Sequence, residues 1–146
     1  MIVDVHTRIW ESADALGAAS DVLRRKRCQP WERPDASPTA HQDAMDTVQA
    51  SFIHGFESRH FDGAISLEKV AHYVAAAPSR FFGIAGIDPT HGKPVRKLEE
   101  ALALGMVGVT VSPTSQGFHP SDSRAMDLYE ACAAKNIPIF FDTAHI

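Results

Sequence analysis

The chain has 146 residues, 45% hydrophobic and 22% charged, the proportions of one soluble globular domain, which excludes disordered and collagen-like folds. Fourteen Lys and Arg against eighteen Asp and Glu leave a net charge of −4, which argues against a nucleic-acid partner. No apolar run approaches the roughly 20 residues of a membrane helix, and the opening Met1-Ile2-Val3-Asp4-Val5-His6 lacks the basic and apolar regions of a signal peptide.

Residues 2–8 predict a strand, and its period of two sets Asp4, His6 and Arg8 on one face with Val3 and Val5 on the other. Residues 11–43 read as an irregular insertion, with a short helix over 13–27 and loop around Pro30, Pro34 and Pro38. Residues 48–54 predict the second strand. A helix follows over 66–77, with Leu67, Val70, Ala71 and Val74 on one face and Pro78 closing it. Residues 81–88 form an apolar strand. Residues 94–104 form a helix with Pro94 at its start and Gly105 just past its end. The strand 106–112 stops at Pro113. The helix 121–135 carries Ala125, Leu128, Tyr129, Cys132 and Ala133 along one stripe, and Asn136 stands at the left-handed cap. Residues 137–143 predict the last strand. Strands alternating with helices imply right-handed crossovers and a parallel α/β sheet. Cys28 and Cys132 fit no metal or redox spacing, so free thiols in a reducing cytoplasm are expected.

In a parallel sheet the C-terminal strand ends converge on one face, where such folds keep their chemistry. Those ends carry His6 and Arg8, then His54, Asp88, Thr110 and Ser112, and Asp142 followed by His145. Their recurrence predicts a functional cleft.

The opening Ile2-Val3-Asp4-Val5-His6-Thr7-Arg8 resembles the Asp-x-His-x-His strand of the amidohydrolase superfamily. Residues 75–89, 104–113 and 128–143 resemble, in order, its amidohydrolase-related branch, which contains aminocarboxymuconate-semialdehyde-decarboxylase-like and dicarboxylate-lactonase-like enzymes. The resemblance covers residues 1–10 and about 43–146. It implies the N-terminal portion, about five strands, of a (β/α)8 TIM barrel. It also implies a metal-dependent hydrolase, decarboxylase or lactonase acting on a small carboxylate-bearing substrate. A divalent metal, zinc or manganese, would be held by His6 and by Asp142, which stands where the family has a histidine. Arg8 replaces the second histidine of the first strand, and a guanidinium does not ligate metal. The strands that complete the ligand set in the resembled enzymes are absent from this sequence. The alternative is therefore an inactive or truncated barrel that binds a small acid or assembles with another chain.

Each candidate has two readings. Arg8 binds a substrate carboxylate, or it forms a salt bridge to Asp4 or Asp142. His54 and Thr110 touch substrate, or they serve the strand end and the barrel interior. Asp142 belongs to the site, or it neutralises Arg8. Asp88 reads as a turn stabiliser before Pro89. His41, His60, His72, His91 and His119 are expected in solvent, as is the basic run Arg24-Arg25-Lys26-Arg27. Five strands leave the first and last as unpaired edges, so the chain is expected to continue into a longer polypeptide or to form a homo-oligomer through those edges, with inward residues such as Phe140 facing water.

Overall fold

The computed structural model describes residues 1–19, 22 and 35–143. β1 (Val3–Thr7), β2 (Ala50–His54), β5 (Phe81–Gly86), β6 (Gly108–Val111) and β7 (Ile139–Phe141) form one sheet in that order, every neighbouring pair parallel. These are the five predicted strands, with ends trimmed by up to two residues. The crossovers are α2 (Leu67–Ala75), α3 (Pro94–Ala103) and α5 (Ser123–Ala134). The expected signals set their ends. Ser66 Oγ accepts from the Lys69 N–H, Asp122 caps Arg124, and Gly105 and Asn136 take left-handed φ values of 82° and 55°.

The helices cover the convex face. Val70, Leu98, Leu128 and Cys132 pack there against Ile53, Phe81, Ala85, Val109 and Val111, all nearly or wholly removed from solvent. Full burial of each Val, Leu, Ile or Phe side chain among them stabilises by about 1.5–3 kcal/mol. Ala133, placed on this stripe from the sequence, is exposed, because the stripe runs through Ala125, Leu128 and Cys132 and leaves it one position too far round. The concave face is aromatic and half-buried. Phe52 lies against Phe82 and Phe140, with ring centroids 5.6 and 6.1 Å apart. Phe140 is thus partly covered rather than open to water.

Three elements were not anticipated. α1 (Pro38–Ala44), capped by Ser37, sits inside the segment read as irregular insertion. A hairpin of β3 (Phe56–Ser58) and β4 (Gly63–Ile65) fills the connection from β2 to α2. A single turn, α4 (Pro113–Gln116), follows β6. All are too short to show a period. Of the predicted helix over 13–27, Ala13–Leu16 forms a 3-10 turn. Arg24 to Arg27, Cys28, Pro30, Pro34 and His145 lie outside the described residues.

The hairpin presses its backbone on the end of β5. A Cβ at Gly86 would fall 2.3 Å from the Phe56 nitrogen and 2.4 Å from the Gly55 carbonyl carbon, both backbone atoms with no rotamer to yield. Gly86→Ala is therefore expected to destabilise by about 1–3 kcal/mol, the cost of an overpacked core. A urea midpoint equal to wild type would contradict this contact.

Candidate functional site

The strand carrying His6 departs from its simple alternation. While β2 advances from Ser51 to Ile53, β1 advances from Asp4 to Thr7, so a bulge adds one residue. The extra residue reverses the faces. Asp4 pairs opposite Ser51, away from His6, which corrects the face assignment made from a period of two. Its carboxylate instead accepts the His6 backbone N–H at 3.0 Å. His6 turns to the concave side, where its ring meets that of His54 edge-on with centroids 4.6 Å apart.

Arg8, His6 and Asp142 converge although the first two lie 134 or more residues from the third. Asp142 Oδ2 accepts from Arg8 Nη2 and, at 3.3 Å, from the Ser112 hydroxyl, and it lies 3.7 Å from His6 Nε2. The Arg8 and Asp142 side chains are 11% and 4% exposed. The guanidinium also lies over the Phe56 ring, 5.7 Å from its centroid. The Asp142 N–H donates to the Val111 carbonyl at 2.8 Å, which extends the β6–β7 ladder under the carboxylate. Arg8 is thus ion-paired, with Asp142 rather than Asp4.

A cavity of about 310 Å³ opens beside this pair, lined by His6, His54, Thr110, Phe140 and Asp142. That volume suits a small organic molecule. Thr110 is buried, its hydroxyl 3.4 Å from the Phe140 carbonyl. Asp88 is buried outside the cavity. Its carboxylate accepts from the Thr90 N–H and hydroxyl and from the Arg59 N–H, the turn-stabilising role read from Asp88-Pro89.

His54 Nε2 lies 3.0 Å from the Val5 carbonyl, which only accepts, so Nε2 carries the proton and the buried Nδ1 holds a lone pair with no partner. The bond reaches into the bulged stretch of β1. Burial first, then the His6 ring, lower the His54 pKa from 6.5 to about 4. Burial and the Arg8 charge lower that of His6. Both rings are therefore neutral at pH 7. Because the unfolded chain binds these protons more readily, this stability is complete above about pH 6.5 and is lost as the pH falls. For His54 alone the loss between pH 7 and 5 is roughly 2 kcal/mol. Urea midpoints across that range should fall in wild type and flatten in His54→Gln; a flat wild-type profile would refute the buried neutral ring.

His60, His72, His91 and His119 are exposed as expected. His41 is not. It is 6% exposed on α1, its Nδ1 2.7 Å from the Tyr73 hydroxyl, because the unanticipated helix turns it beneath the sheet. Gln116 was missed altogether. Its Nε2 donates to the carbonyls of Glu57 at 2.7 Å and Ile87 at 3.0 Å, and its Oε1 accepts from the Ser112 N–H at 2.8 Å. One buried amide thereby ties three connections around the cleft, and no local pattern marks it.

The residues present do not fit a divalent ion. Asp142 Oδ2, the oxygen facing His6, already receives the Arg8 guanidinium. A dication on that oxygen would sit beside a permanent positive charge, which opposes its binding. Among the described residues no group of three or more His, Cys, Asp or Glu side chains is arranged to hold a metal, and about three protein ligands are needed. No helix among the described residues is long and apolar enough to cross a membrane.

Solved structures share this architecture. An uncharacterised TIM-barrel protein of Bordetella bronchiseptica matches 96% of this chain and 54% of its own length, with a TM-score of 0.70 at 22% identity. A candidate amidohydrolase from Staphylococcus aureus matches 99% of this chain and 48% of its own, with a TM-score of 0.65 at 13% identity. A protein described as amidohydrolase II matches 97% and 50%, with a TM-score of 0.63 at 20% identity. At these identities the likeness is one of fold, and the chain spans about half the length of each structure. No curated protein matches the sequence. The amidohydrolase family model matches residues 3–146. With five parallel strands curled as a half-barrel and that model spanning nearly its whole length, the chain belongs to the amidohydrolase family.

Proposed function

We propose that these residues supply the front of the catalytic face of a hydrolase acting on a small, carboxylate-bearing organic substrate, such as a lactone or amide of an acid. The observation carrying this reading is the convergence of His6, His54, Thr110 and Asp142 on one cavity at the C-terminal strand ends. In that cavity a neutral His6 imidazole is able to take a proton from water or a substrate hydroxyl, and the Asp142 carboxylate 3.7 Å away would stabilise the resulting cation. Thr110 offers a hydroxyl to the substrate. Arg8 contributes positive potential, with a Nε that is buried and unbonded. Members of the family generally use divalent metals. Zinc or manganese is left out of this reading because a guanidinium stands on the carboxylate that would hold it.

A pH-stat assay comparing the carboxylated lactone paraconate with γ-butyrolactone tests the proposal. Faster opening of paraconate by wild type, abolished in His6→Ala, is expected. Equal rates, or turnover that survives in His6→Ala, would refute it. A second reading, a chain that assembles with another copy, is favoured by the exposure of Val3, Val5 and Phe141 on the edge strands β1 and β7. Light scattering tests it: a concentration-independent monomer would reject assembly.

A further inference from the structure

We infer that the charged centre of this cleft is an internal ion pair that works without a metal, the Arg8 guanidinium holding Asp142 where a divalent cation would otherwise bridge Asp142 and His6. The inference deepens the hydrolase reading and rests on its placing of the catalytic face.

Three observations carry it. The oxygen that faces His6 at 3.7 Å is the same Oδ2 that accepts from Arg8 Nη2 and from the Ser112 hydroxyl. A cation would have to share that atom with a permanent positive charge, and arginine has no deprotonated form at working pH. The guanidinium is also enclosed rather than swinging from the surface. The Arg8 side chain is 11% exposed and lies against the Phe56 ring, 5.7 Å from the centroid. Finally, His54 is committed. Its Nε2–H is bound to the Val5 carbonyl and its remaining nitrogen is buried, which leaves His6, among the described residues, as the imidazole open to the carboxylate. Among the described residues, one imidazole and one guanidinium-bound carboxylate fall short of a zinc site. The same arrangement gives the cleft a fixed positive group for an anionic substrate.

The test is zinc and manganese binding by the purified full chain after EDTA treatment, followed by calorimetry and by metal content after dialysis. Wild type, His6→Ala and Arg8→His are compared. Wild type is expected to take up no stoichiometric, His6-dependent metal. Arg8→His removes the guanidinium and adds an imidazole beside His6 and Asp142, and should bind zinc at least about tenfold more tightly than wild type. Stoichiometric binding by wild type that His6→Ala abolishes would overturn the inference. So would a folded Arg8→His chain that binds no better than wild type. Should circular dichroism show Arg8→His unfolded, the comparison of wild type with His6→Ala decides alone. None of these readouts depends on turnover, so a failed lactone assay and a failed metal assay are separate results.

Discussion

Arg8→Met is expected to lower the stability of the chain by about 3–5 kcal/mol, the cost of leaving one partner of a buried ion pair without the other. The Asp142 side chain is only 4% exposed, and the substitution removes its guanidinium partner while the Ser112 hydroxyl stays at 3.3 Å. The damage should be local in origin. Asp142 closes the β6–β7 end of the sheet and Arg8 the β1 end, so the pair spans the sheet from one edge strand to the other. Arg8→Met combined with Asp142→Leu should recover much of the loss, because an apolar pair of similar volume removes both buried charges together. Urea unfolding of the three variants, compared at constant slope, measures this. A single-variant loss below about 1 kcal/mol would show that the pair behaves as an exposed one.

Gln116→Leu should be comparably severe. The substitution keeps the volume near that of glutamine but removes the partner of the buried Ile87 carbonyl and Ser112 N–H and of the half-buried Glu57 carbonyl. Each unsatisfied buried group costs about 1–3 kcal/mol, so a total near 3–5 kcal/mol is expected after relaxation. Gln116→Glu discriminates the cause. It retains the acceptor for Ser112 but presents no donor to the two carbonyls, so it should be at least as damaging as leucine. Hydrogen exchange at Ser112 should then accelerate in Gln116→Leu and less in Gln116→Glu. Equal protection of that amide in all three proteins would remove Gln116 from its bridging role.

These two residues show where sequence legibility ends. Arg8 is conspicuous, as an ionisable side chain near the end of a strand and in a histidine's place, and both its readings are available from the sequence. That it pairs with Asp142, 134 positions away, is visible only in the fold. Gln116 carried no mark of any kind. A glutamine after a Pro-Thr-Ser turn is ordinary on a surface, and only the approach of β3, β5 and β6 makes its amide a bridge. His41 erred in the same direction, since a histidine in a segment without periodicity reads as solvated until a short helix turns it under the sheet.

By itself the sequence determined the alternation of strands and helices, the parallel order, the caps, and the family to which the motifs belong. Those properties rest on interactions between residues a few positions apart, such as the 3.6-residue stripe of Leu67, Val70 and Val74 or the left-handed turn at Asn136. The tertiary structure alone decided the bulge between Asp4 and Thr7 that separates Asp4 from His6, the enclosure of Arg8 by Asp142 and Phe56, and the hairpin packed on Gly86. Each of these depends on register between strands and on which distant groups compete for one buried atom. Such competition is settled by desolvation and hydrogen-bond satisfaction in the folded interior, where a buried charge or amide must find a partner wherever the chain has brought one.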